Sequence, residues 1–143
     1  MLFEHRHTAK AVAFYVLAFA LPLVCFFTLL AVGGIYPFGD ESFLTEDLKY
    51  QYVDFFTWYQ SVLQGRGSLF YSFATGMGSN AWGMVGYYLA SPLNLLIVFF
   101  DGDHITDFVV LVVALKLGFA GVTTAWYARR RFCLGAPMAL ALS

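Results

Sequence analysis

Carboxylates and an amide crowd the stretch Thr45-Glu46-Asp47-Leu48-Lys49-Tyr50-Gln51-Tyr52-Val53-Asp54. Side chains of these types take up protons and accept hydrogen bonds, so the chemistry on offer is general-base catalysis or the holding of a polar ligand. With Thr45 as the N-cap of a helix, Glu46 and Asp47 fall in its first turn, where the helix dipole favours negative charge. A carboxylate there is ionised at neutral pH, as a base requires; the same placement also serves simply to stabilise the helix. Asp47, Gln51, Asp54 and Trp58 then follow at i, i+4, i+7 and i+11 on one face. Leu48, Tyr52, Phe55, Phe56, Tyr59, Val62 and Leu63 make an apolar stripe on the other. One side is expected to rest on lipid or protein while the other meets substrate.

The rest of the chain must position this polar interval, and its composition says in what medium. Hydrophobic residues make up 60%, charged residues 12%, and the mean hydropathy is +0.70. Soluble domains carry about 25% charged residues, so this is a membrane chain. A net charge of −1 and scattered basic residues exclude a nucleic-acid partner. Cys25, inside an apolar run, and Cys133, after an arginine cluster, do not make a disulfide framework. Glu4-His5-Arg6-His7 offers alternating histidines, but a metal site needs three or four convergent ligands and a polar lead before a membrane helix explains them as well.

Residues 11–35 are nearly all apolar and long enough to cross a bilayer, with Pro22 as a kink. No small-residue cleavage site follows, so the helix is read as uncleaved. A second span is expected over 104–128, interrupted by Asp107 and Lys116 and followed by Arg129-Arg130-Arg131. Lysine and arginine accumulate on the cytoplasmic side, which puts both Arg6 with Lys10 and the triple arginine inside. An even number of crossings must lie between them. The apolar segment 84–100, with Pro92 and Asn94 in it, is therefore a re-entrant or interface-lying helix, and 36–103 is one exoplasmic loop with interfacial helices near 46–64 and 84–100. Residues 129–143 are a cytoplasmic turn and the start of another helix, so the chain reads as the N-terminal piece of a longer protein. The fold class expected is an all-α integral membrane protein.

Within the loop, Gln64-Gly65-Arg66-Gly67-Ser68 marks a turn, and Gly76-Met77-Gly78-Ser79-Asn80 is either a tight turn or a loop that lets a ligand approach the backbone. Asp101-Gly102-Asp103-His104, with Asp107, hints at calcium but lacks the later glycine and glutamate of an EF-hand, so a solvated corner is the reading kept. Lys116 inside a span is either functional or paired with a further helix.

Taken in order, Pro37-Phe38-Gly39-Asp40, Leu44-Thr45-Glu46-Asp47-Leu48 with Gln51-Tyr52, Leu69-Phe70-Tyr71-Ser72, Gly76-Met77-Gly78-Ser79-Asn80 and Tyr87-Tyr88-Leu89-Ala90-Ser91-Pro92-Leu93-Asn94 resemble the N-terminal region of the YfhO-type bacterial membrane proteins. That family belongs to the GT-C class of multi-spanning glycosyltransferases, whose first exoplasmic loop, between the first two spans, carries an essential acid and two interfacial helices. The resemblance covers about Gly34 to Arg131. It implies an enzyme of the plasma membrane that takes sugar from a polyprenyl-phosphate carrier and passes it, on the outer face, to a cell-envelope polymer such as teichoic acid. Asp47, four residues before Gln51, matches the position of the class's catalytic acid.

On that footing Asp47 is the expected base. Asp40 and Glu46 serve as alternatives to it, as groups that orient it or the sugar, or as solvated loop acids. Gln51 and Asp54 share Asp47's face and bind sugar; Arg66 meets phosphate or lipid headgroups; Asn80 is a substrate-loop residue. Trp58, Trp82 and the tyrosines stack on sugar or form an aromatic belt. No cofactor is indicated, although the acids permit a divalent metal. Two rival readings are a transporter or lipid flippase working through Lys116, and a non-catalytic subunit of an envelope assembly. The chain alone is expected to be inactive.

Overall fold

A computed structural model describes residues 2–73 and 77–143, with side chains from Lys10 onward. Gly76 of the glycine motif, and the side chains of Glu4, His5, Arg6 and His7, lie outside the described residues. The chain divides into two compact units: 1–41 with 113–143, and 42–112. It is mostly helical, with two helices long and apolar enough to cross a membrane, Lys10–Val32 and Gly102–Phe132.

The first unit is built on helix α1 (Leu2–Val32) and the later part of helix α4 (Ile105–Phe132). The sequence reading carried the first helix to residue 35, but α1 stops at Val32, where Gly33 and Gly34 end the regular ladder and Ile35 N–H turns back to the Leu30 carbonyl at 2.9 Å. At the other end the 104–128 reading was too short. Helix α4 runs through Arg129, Arg130 and Arg131, whose charges complement the negative end of the helix dipole. The turn therefore begins at Cys133, not at residue 129, and leads into helix α5 (Ala136–Ala141), which opens with Pro137 in its first turn.

Small residues let α1 and α4 meet. A Cβ on Gly121 would lie 2.3 Å from the Ala18 carbonyl oxygen and 2.8 Å from Pro22, and one on Gly118 would lie 2.5 Å from the Phe19 ring. Around this crossing Phe14, Ala18, Ala125, Ala128 and Ala139 form a buried cluster, and the Arg129 guanidinium lies over the Phe14 ring at 4.6 Å. Most of α1 outside this contact is exposed, as suits a surface facing lipid or another helix.

The second unit opens with a π turn over Leu48–Tyr52, in which Val53 N–H bonds the Leu48 carbonyl, and continues as helix α2 (Val53–Leu63). A two-residue antiparallel ladder pairs β1 (Tyr71–Ser72) with β2 (Ser79–Asn80), so the all-α expectation needs this small correction. Gly78 is required there: at φ 106° a Cβ would stand 2.0 Å from the Tyr71 hydroxyl. Gly78 thus makes room for the Tyr71 side chain.

No single helix covers 84–100. Helix α3 (Trp82–Met84) passes into a π turn over Val85–Leu89; the chain breaks at Ala90-Ser91, and Pro92–Phe99 winds as a 3₁₀ helix. The two halves, Trp82–Leu89 and Pro92–Phe99, are bent by 99°. Pro92 forces the break, because its ring disfavours helical geometry at Ser91 and removes an N–H.

The halves are tied down by buried amides. Asn94, fully buried, donates from Nδ2 to the Tyr88 carbonyl at 3.1 Å. Gln60 of α2 donates from Nε2 to the carbonyls of Ile97, at 3.2 Å, and Phe100. Asn94 thus satisfies a carbonyl beside the bend, and Gln60 ties down the far end of the second half. Phe56, Leu89, Ile97 and Phe108 fill the core beneath, with Phe108 edge-on to Phe56 at 5.0 Å and to Phe100 at 5.6 Å.

Candidate functional site

The acidic stretch folds differently from a plain helix, and the difference sorts its residues. Thr45 is not a side-chain cap. It supplies its carbonyl to Leu48 N–H at 3.0 Å, and the π turn opens at Asp47 with no side-chain capping bond. Glu46, expected in the first turn, sits at φ 46°, a left-handed conformation that costs a non-glycine residue about 1–2 kcal/mol.

The π turn then takes up an extra residue, which rotates everything after it by about 100° relative to a regular helix. Asp47 consequently leaves the face it was expected to share with Asp54 and Trp58. What it keeps is Gln51, whose Nε2 donates to Asp47 Oδ1 at 3.1 Å. Gln51 is held from its other side as well, since the Tyr88 hydroxyl donates to its Oε1 at 3.4 Å, a long bond. The Tyr88 pKa is pushed up to about 12, first by its hydrogen bond with Tyr87, then by desolvation and by the Tyr87, Tyr52 and Asp47 charges. Tyr88 is also packed edge-on to Tyr52 at 4.4 Å and tilted against Phe55 at 5.3 Å. Asp47, Gln51 and Tyr88 thus form one chain of hydrogen bonds, braced from below by Asn94 on the Tyr88 carbonyl.

Beside this chain lies a cleft of about 430 Å³ lined by Tyr50, Gln51, Asp54, Phe55, Thr57, Trp58, Ser61 and Met84. Gln51, Asp54 and Trp58 are brought together in it, and Asp47 is not in the lining. A larger cleft of about 740 Å³ is lined by α1 alone, by residues such as Phe19, Leu23, Val24 and Phe27. It has no titratable group and is the apolar surface of a membrane helix.

The remaining candidates make no contact with the Asp47–Gln51–Tyr88 chain among the described hydrogen bonds. Asp40 is exposed on the turn after α1, in the first unit. Arg66 is exposed on the turn after α2 and donates from Nη2 to Gln64 Oε1. Asn80 accepts the Trp82 backbone N–H at 2.9 Å through Oδ1, which fixes the start of α3. Lys116 is exposed on α4 with no ion pair among the described residues. His104 pairs with Asp107 at 2.8 Å, and among the described residues no three His, Cys, Asp or Glu side chains converge as a metal site.

Tyr88 is the residue that reading the sequence missed as part of the site. It lies 37 positions from Gln51, and no local spacing announces that contact.

Two helices long and apolar enough to cross a membrane, with a polar, acid-bearing interval between them, mark a membrane protein. Residues 18–143 match the family described as Bacterial membrane protein YfhO, and the chain belongs to that family. Neither the curated proteins nor the solved structures yield a significant match.

Proposed function

We propose that this chain carries the acidic loop site of a GT-C-type glycosyltransferase, which moves a sugar from a polyprenyl-phosphate carrier to a cell-envelope polymer at the outer face of the plasma membrane. In this reading α1 and α4 are the flanking spans, the N-terminus is cytoplasmic, and residues between the spans form an exoplasmic loop. The bent pair Trp82–Leu89 and Pro92–Phe99 then lies on the outer side as an interfacial or re-entrant element. The observation that carries the reading is the 3.1 Å bond from Gln51 to Asp47 Oδ1, in a chain of this family. It fixes the carboxylate and leaves Oδ2 to accept a proton.

Asp47 takes the proton of the acceptor hydroxyl as that oxygen forms its bond to the anomeric carbon; the bond from that carbon to the carrier phosphate breaks, and its electron pair leaves with the phosphate. The acids permit a divalent metal. Glu46 is a spare acid that orients substrate, and Arg66 is suited to phosphate or lipid headgroups.

The test compares sugar transfer by the full-length protein in membranes supplied with polyprenyl-phosphate sugar and envelope polymer. Asp47→Asn should lower transfer by about 10²–10⁴-fold with expression and membrane insertion unchanged. Retained activity removes Asp47 as the base. Lys116 supports a flippase as the second reading, since a cation on a membrane helix with no ion pair among the described residues suits a polar lipid path. Lipid translocation that depends on Lys116, with no transfer from any donor, would replace the first reading with it.

A further inference from the structure

The hydrogen-bonding capacity of the α2 cleft is not evenly divided. Thr57 spends its hydroxyl proton on the Val53 carbonyl at 2.8 Å, and Ser61 spends its own on the Trp58 carbonyl at 2.7 Å, so each turns lone pairs outward. The Gln51 amide gives its Nε2 proton to Asp47 and receives at Oε1 from Tyr88. Asp54, exposed and with no ion pair among the described residues, adds the cleft's one charge, which is negative. The donors left to the lining side chains are one proton each from Tyr50 and Trp58, and a second Gln51 amide proton. Lys49 lies against the Tyr50 ring at 5.7 Å and does not line the cleft.

A ligand that suits such a wall brings hydrogen-bond donors, carries no negative charge and offers an apolar face to an indole. A phosphate is the opposite: it is anionic and mostly acceptor, so Asp54 repels it. Sugar hydroxyls donate well to a carboxylate, and charge assistance strengthens those bonds. The volume, about 430 Å³, falls in the range of about 300–1,000 Å³ typical of small-molecule sites.

We infer that the cleft on α2 is the subsite for a sugar ring free of phosphate and carboxylate, with its hydroxyls on Asp54 and its apolar face on Trp58, while the carrier phosphate is held elsewhere. That this ring is the one transferred rests on the glycosyltransferase reading; the binding itself does not. Two acids seven residues apart then divide the work, Asp47 handling the proton and Asp54 holding the ring.

Trp58 reports on its own subsite once Trp82 and Trp126 are replaced by phenylalanine, leaving it as the sole indole of this chain. In lipid nanodiscs, its emission is titrated with methyl hexopyranosides, with the corresponding methyl uronides, and with polyprenyl phosphate lacking sugar. Neutral hexosides should shift the emission saturably, and uronides should bind roughly tenfold more weakly or worse. Polyprenyl phosphate alone should leave it unmoved. Asp54→Asn should weaken hexoside binding by roughly tenfold or more, with Asp54→Glu restoring part of it.

Silence toward every hexoside, an equal response to uronides, an equal response to bare polyprenyl phosphate, or indifference to Asp54→Asn overturns the subsite. Transfer by the wild type with Trp58 silent sinks the subsite and spares the enzyme. A Trp58 response without transfer from any donor does the reverse.

Discussion

Asp47 matters less for being acidic than for being held. A carboxylate fixed through one oxygen presents the other in a defined direction, and a base gains rate from that alignment. Tyr88 acts one step back, by keeping the Gln51 amide turned toward Asp47. Tyr88→Phe removes one long hydrogen bond, whose net worth of about 0.5–1.5 kcal/mol predicts a fall in kcat of roughly 2- to 10-fold with KM nearly unchanged. Gln51→Ala, which frees Asp47 Oδ1 altogether, should cost more than Tyr88→Phe and less than Asp47→Asn. Steady-state transfer kinetics on the three variants rank them; equal losses would mean that Tyr88 and Gln51 do not act through Asp47. The pairing of Asp47 with Gln51 was legible in the sequence, because four-residue spacing brings side chains together in any helical turn of about this pitch. The membership of Asp54 in the cleft was legible too. That Asp47 stands outside it was not, because a π turn depends on how the helix packs, and residue identity carries no clear mark of it.

Among the elements, the bent pair Trp82–Leu89 and Pro92–Phe99 shows how an apolar segment is broken in two. Pro92 and Asn94 announced a break in the sequence; the two halves meet at 99°, with Asn94 satisfying the Tyr88 carbonyl beside the bend and Gln60 the Ile97 carbonyl near the end of the second half. Asn94→Ala should leave the Tyr88 carbonyl without its partner and cost about 1–3 kcal/mol, seen as a lower Tm of the purified protein. Because Tyr88 also holds Gln51, the same variant should lower transfer below what the loss of folded protein explains. The crossing of α1 with α4 gives the complementary case. Gly121→Leu places a side chain where the Ala18 carbonyl and Pro22 already stand, so the helices must separate, with a loss of about 1–3 kcal/mol or more in thermal stability. An unchanged Tm would show that the helices do not pack there. Glycine in an apolar run reads from sequence as a neutral feature; its purpose is visible only when the facing backbone is in place.

For the whole molecule, the arrangement of charges predicts sidedness. Ser68→Cys, on the turn after α2, should react with a membrane-impermeant maleimide in intact cells, whereas native Cys133, exposed two residues past Arg131, should react only after the membrane is opened. Labelling of both from the same side would overturn the topology. The sequence by itself determined that the chain is a membrane protein, that its two long apolar helices frame a polar interval, and that it resembles the YfhO family. Composition, the length of apolar runs and the order of short motifs are properties of the linear chain and need no partner in space. Tertiary structure alone decided that Asp54 and Trp58 share a cleft without Asp47, that Tyr88 reaches Gln51, and that Asn94 and Gln60 hold the bend. Each of these depends on where a helix is overwound or broken, and on contacts between residues distant along the chain, where packing overrides the regular periodicity that a sequence displays.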